Sequence, residues 1–262
     1  MKKTLSSILL ASALLLGAIA PVTANAATTD TGTGLSGTTN STVHFAKPDT
    51  TTTPVDPTDP TKPVDPDNTT DPKDPNGGTT PSGDLTFLFV SNSIDFGSAD
   101  APIKAQTSGT TQSINNGSKN ADGTTNVVKV TNGAFASNAN LLTEVSDTRG
   151  SNAGWTVTVN SSALTDSKVG VLKGATLDLD GSKATVKNSA VADGTTIDKA
   201  DTGALATDGT PGTIYSAKTG FGAGATTMQL DPANVTLNVP TNVATGTYTG
   251  QLNWTLSDTP GK

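Results

Sequence analysis

Tyr248-Thr249-Gly250-Gln251-Leu252-Asn253-Trp254-Thr255-Leu256-Ser257-Asp258-Thr259-Pro260 lies at the C-terminal end of the sequence. Tyr248, Gly250, Leu252, Trp254 and Leu256 fall on one side of the stretch, and Thr249, Gln251, Asn253 and Thr255 on the other. That period of two predicts a β-strand with one buried face. Gly154-Trp155-Thr156-Val157-Thr158-Val159 repeats the Trp-Thr-aliphatic pattern upstream, and these two strands hold both tryptophans of the chain. Tryptophan offers a large area to bury and a flat face to stack on a ligand. Two of them in matching strands mark either two walls of one core or one shared binding surface.

Similar alternation recurs elsewhere. Leu85, Phe87 and Phe89 share one face of a segment whose other face carries Thr86, Leu88 and Val90. Further strands are expected at 127–130, 175–179, 184–186, 226–230 and 235–239, with turns at Asp122-Gly123, Asp180-Gly181, Asp208-Gly209 and Asp231-Pro232. Residues 188–224 are weaker in pattern and are expected to be long loops or a short hairpin. Glu and Arg each occur once, at Glu144 and Arg149, whereas Thr and Val are frequent, so helix is disfavoured. The fold class expected is all-β, an antiparallel β-sandwich.

Both tryptophans, both tyrosines and five of the six phenylalanines follow Gly83, which places the core in residues 84–262. Before it, Pro54, Pro57, Pro60, Pro63 and Pro66 recur at every third position among Val, Asp, Thr and Lys. Proline fixes φ and removes donors, so residues 27–83 are expected to be a disordered Pro/Asp/Thr-rich linker favouring polyproline II. Fully extended, 48–81 would reach about 100 Å. One short strand is conceivable at Thr42-Val43-His44-Phe45. At the N-terminus, Lys2 and Lys3, an apolar run from Ile8 to Ile19 and Ala24-Asn25-Ala26 have the three-part form of a secretory signal peptide, expected to be cleaved after Ala26. The apolar run is too short to span a membrane, and no membrane span is expected in the mature chain.

The net charge of −7 becomes −9 once the two signal lysines are subtracted, which argues against nucleic acid as a partner. Cysteine is absent, so stability must come from the core. The only histidine, His44, lies outside the expected domain, which disfavours Ser/His catalysis and zinc. No spacing selects a carboxylate pair for glycoside hydrolysis. Asp178-Leu179-Asp180-Gly181 lacks the ligand register of a calcium loop, and Asp147 with Arg149 reads as a surface pair. No catalytic residue, metal or cofactor is expected.

The signal segment, the Pro/Asp/Thr tract, Val90-Ser91-Asn92-Ser93-Ile94-Asp95-Phe96-Gly97 and two Trp-x-aliphatic motifs, the second near the C-terminus, stand in order along nearly the whole chain. In this it resembles the WxL-domain proteins exported by Gram-positive bacteria. The first motif reads Trp155-Thr156-Val157, with Val where the family name has Leu; both are aliphatic. The resemblance implies a secreted, extracellular protein at the cell wall surface, attached without a covalent link by a C-terminal domain that binds peptidoglycan or an associated wall polymer. It also implies partners among other WxL-type and membrane-anchored surface proteins. The motif residues Trp155, Val157, Trp254 and Leu256 are the expected binding residues, with core packing the competing role for both rings. No sorting pentapeptide follows the last motif, consistent with attachment by the folded domain. The alternative is an adhesion or protein-interaction module held at the surface by a partner.

Overall fold

The computed structural model describes residues 39–64, 76–120, 122–191 and 195–262. The expected signal peptide lies outside them. The chain divides into a unit ending at Ala46 and a unit running Lys47–Lys262. In the first, residues 39–46 form no strand, and Val43 and Phe45 are exposed. The strand expected at 42–45 is therefore absent: a lone apolar pair has no sheet to bury it.

The second unit is built from antiparallel strands, as the alternation predicts. In chain order they are β1 (Val55–Asp56), β2 (Asp59–Pro63), β3 (Leu85–Val90), β4 (Ser93–Phe96), β5 (Thr111–Ile114) and β6 (Val128–Thr131). Next come β7 (Leu141–Asp147), β8 (Trp155–Ser161), β9 (Thr165–Asp166), β10 (Gly170–Val171), β11 (Thr176–Asp180) and β12 (Thr185–Asn188). The last six are β13 (Ile197–Lys199), β14 (Asp201–Ala206), β15 (Gly212–Ala217), β16 (Gly224–Leu230), β17 (Val235–Pro240) and β18 (Leu252–Ser257). Three four-stranded sheets dominate, in the orders β14-β11-β17-β5, β12-β16-β7-β3 and β13-β15-β8-β18. They send Leu177, Leu179 and Leu237, then Leu141, Val145 and Met228, then Trp155, Val157 and Ile214 into one core.

The sheets interlock at Trp155, which is fully buried. Its ring meets Tyr215 edge-on, with centroids 5.5 Å apart and planes at 86°. Tyr215 in turn shares a hydrogen bond of 2.8 Å with Thr143 on β7, so one aromatic pair ties β8 and β15 to the neighbouring sheet. The indole N–H donates to the Gly222 carbonyl at 3.0 Å, which satisfies the only polar atom of the ring. Gly222 has φ of +82°, and a β-carbon there would lie 2.5 Å from the indole nitrogen. Gly154, at φ +80°, admits no β-carbon either, because it would stand 2.5 Å from the Ala217 carbonyl oxygen. Glycine on both sides lets the backbone close around the ring.

Three expectations change. Residues 188–224 hold β13, β14 and β15 rather than loops or one hairpin, and β15 supplies Ile214, Tyr215 and Ala217 to the core. On β3, a bulge between Phe87 and Phe89 breaks the predicted face: Phe87 packs on the main core, while Phe89 joins Phe135 and Leu142 on the other side of the sheet. The expectation of a packing-free linker over 27–83 fails at 54–64, where β1 and β2 pair as a hairpin and Val55 is buried with Leu88 and Ala225. Prolines lack N–H groups, but the Pro57 carbonyl accepts from Thr227 at 2.9 Å and Gln229 at 3.0 Å. Side-chain donors on β16 thus hold the hairpin, whose ladder bonds run only between β1 and β2.

Truncating Trp155 to Ala is expected to lower stability by about 3–5 kcal/mol, because the pocket is closed on every side. Denaturant unfolding of the two proteins checks this, and a loss under about 1 kcal/mol would contradict the interlock.

Candidate functional site

The two tryptophan motifs lie on neighbouring strands. β18 pairs antiparallel with β8, placing Leu256 opposite Val157 and Trp254 opposite Val159. Their environments differ. Trp155, Val157 and Val159 are wholly buried, whereas Leu252, Trp254 and Leu256 are only half-buried, leaning on the same core from the rim. The cause is topological: β8 is flanked by β15 and β18, and β18 is the edge strand of its sheet.

On the outer face of this pair, Asn253 donates to Asn160 at 3.0 Å and Thr156 donates to the Thr259 carbonyl at 2.8 Å. The Gly261 amide donates to the Ala217 carbonyl at 2.9 Å, pinning the segment that follows β18. The candidate surface is therefore the edge of β18: three half-covered apolar side chains, Leu252, Trp254 and Leu256, with amides and hydroxyls of Asn and Thr on the opposite face. Part of the Trp254 side chain is exposed at this rim, while the Asn and Thr side chains line the other face.

Of the four motif residues, the structure places Val157 and Leu256 side by side and leaves Trp254 within reach of solvent. Trp155 and Val157 have no solvent-facing surface, so their contribution is to packing. Arg149 also departs from its surface reading. It grips the buried Asp147 carboxylate, with guanidinium to oxygen distances of 3.0 and 2.8 Å, and donates to the Gly154 carbonyl at 2.7 Å. The pair braces the turn that delivers Trp155.

Two perturbed carboxyls were not marked by any sequence spacing. Glu144 on β7 is fully buried, and desolvation, opposed by the Val55 amide and aided by the Asp56 charge, pushes it up to about 8. Asp178 on β11 rises to about 6 through partial burial and a shared hydrogen bond with Asp201. Among the described residues, no group of three His, Cys, Asp or Glu side chains is placed to hold a metal. No helix among them is long and apolar enough to cross a membrane.

Fold and edge together define an all-β module with a partly exposed aromatic edge strand. Comparison with family models agrees: the model described as WxL domain surface cell wall-binding matches residues 32–260. The chain belongs to the WxL-domain family, and is a cell-wall-associated surface protein. The family is one of wall-binding domains, and wall polymer is the binding partner it indicates. Searches among curated proteins and among solved structures give no significant match.

Trp254→Ala is expected to cost about 1–2 kcal/mol, less than the loss at Trp155, because part of the side chain is already exposed. Parallel melts of the two variants check the ranking; equal losses would contradict the edge placement.

Proposed function

We propose that this protein is exported through cleavage after Ala26 and held at the wall without a covalent bond, by direct contact between its β-rich unit and peptidoglycan or an associated polymer. The observation that carries the proposal is the half-covered Leu252-Trp254-Leu256 edge within a chain matched to the wall-binding family over 32–260. Trp254 and Leu256 supply the apolar contact. Trp155 and Val157 act indirectly, by fixing the strand against which β18 lies.

The polar side chains of β18 suit this role. A wall glycan presents apolar ring faces bordered by hydroxyl and amide groups, so an aromatic edge bordered by Asn and Thr offers both kinds of contact. Such binding is of low charge dependence, in keeping with an acidic chain that has few cations to pair with anionic polymers. The protein works as a binding component of a surface complex rather than as an enzyme. The second reading, an interaction module held by a partner, draws on the same strand: an edge offers unpaired backbone groups to which another chain can add.

Co-sedimentation with peptidoglycan stripped of protein separates the two. Direct retention is expected, reduced about tenfold or more by Trp254→Ala at unchanged secondary structure. Retention that appears only when other surface proteins are restored would assign the contact to a partner. Release of soluble sugar from the same material would contradict the non-enzymatic role.

A further inference from the structure

The outer face of the β12-β16-β7-β3 sheet has an unusual floor. β7 is buried along its whole length, and its outward residues are Leu142, Glu144 and Ser146. Beside them on β16 stand Thr227 and Gln229, both buried. A face built for permanent burial is apolar, because each covered polar group must find a partner. Here Glu144 Oε1 and Ser146 Oγ have none among the described residues, and the one glutamate of the chain is at the centre.

Residues 54–64 lie across this floor. The Val55 amide donates to Glu144 Oε2 at 3.0 Å, and the Pro57 carbonyl receives the Thr227 hydroxyl and the Gln229 amide. Lys187 on β12 donates to the Thr58 carbonyl at 2.5 Å, and Val55 fills the apolar notch at Leu88 and Ala225. The segment's ladder bonds are internal: β1 pairs with β2, and the Val64 amide donates to the Pro54 carbonyl at 2.8 Å. It adds no strand to any other sheet. The hairpin is thus read by side chains, as a ligand is, and it brings its own backbone bonds with it.

We propose that this face is a peptide-docking groove for residues 54–64, filled by the chain's own copy at rest and able to take the same segment from a second copy. The groove fits this sequence because it already holds it: a carboxyl for the amide after Pro54, a hydroxyl and an amide for the Pro57 carbonyl, and a notch for Val55. Identical chains crowded on one surface supply identical segments at high local concentration.

Glu144 makes docking sensitive to pH. Covered, its carboxyl stays protonated up to about 8; uncovered, it returns toward the ordinary 4.5. A raised carboxyl favours the docked state fully below the uncovered value, and that advantage is lost as pH climbs through about 8. On the strap, Asp56 is held low by the Thr58 hydroxyl and stays ionised, while Lys62 is raised by Asp59 and stays cationic. Lys187 faces the strap from β12, and β3 and β16 set Phe89 and Thr227 opposite Glu144.

The test uses the full chain with Val55→Asp, which dislodges the strap, and a labelled peptide of residues 54–64 followed by fluorescence anisotropy. The variant is expected to bind the peptide at least tenfold more tightly than the unaltered chain, and at least tenfold more tightly at pH 5 than at pH 9. Adding Glu144→Ala is expected to abolish binding. No binding by a Val55→Asp chain whose β-sheet circular dichroism is intact, or binding indifferent to Glu144, overturns the proposal. For the second copy, mixing Val55→Asp chains with Glu144→Ala chains pairs an open groove with a free strap. A mixed dimer on sizing is expected, and its absence overturns exchange between copies. Should the variant not fold, hydrogen exchange in the unaltered chain decides: Val55 is expected to exchange at least tenfold faster than Val145, and equal rates overturn a removable strap.

Discussion

The edge-on contact between Trp155 and Tyr215 is what the rest of the molecule depends on. It joins β8 to β15 within one sheet, and the Tyr215 hydroxyl carries the link to Thr143 on the next. Both rings are buried, and the Tyr215 phenol is pushed well above its ordinary value by the loss of water around it. Such a buried hydroxyl is stable only while Thr143 answers it, so the contact sets spacing as well as strength. Gly154 and Gly222 pass where no side chain fits, and Arg149 clamps the turn between Asp147 and Gly154. A core aromatic, two glycines and one ion pair therefore form a single device.

That device explains why two similar motifs have different fates. β8 lies inside its sheet and β18 at the rim, so the same Trp-Thr-aliphatic spacing gives a sealed ring in one strand and a half-open ring in the other. Val157 in place of Leu fits this division. It sits opposite Leu256 in a closed layer, where the shorter branched side chain packs against the longer one. Trp155 anchors β8 in the core beside β18, and Trp254 keeps part of its side chain exposed at the rim.

Strands with one wet face were legible in the sequence, because alternation is what such strands leave behind. β8, β17 and β18 are of this kind. β7 was not legible: it is covered on both faces, so Leu141-Leu142-Thr143-Glu144-Val145-Ser146-Asp147 shows no period of two. The same blindness hid Glu144, a charged residue type that burial alone makes unusual. The prolines of 54–64 pointed to a polyproline II spacer, whereas the segment folds back as the β1–β2 hairpin, because proline patterning says nothing about side-chain donors on a distant strand. At the candidate site, Trp254 and Leu256 were legible as motif residues, while the difference in exposure between Trp254 and Trp155 required the strand order.

Emission from each tryptophan separately tests the division most directly. With Trp155→Phe, Trp254 is the remaining indole; with Trp254→Phe, Trp155 is. On adding solubilised peptidoglycan fragments, the Trp254 emission is expected to shift to shorter wavelength as its open face is covered, and the Trp155 emission to stay unchanged. A shift at Trp155 with none at Trp254 would contradict the account.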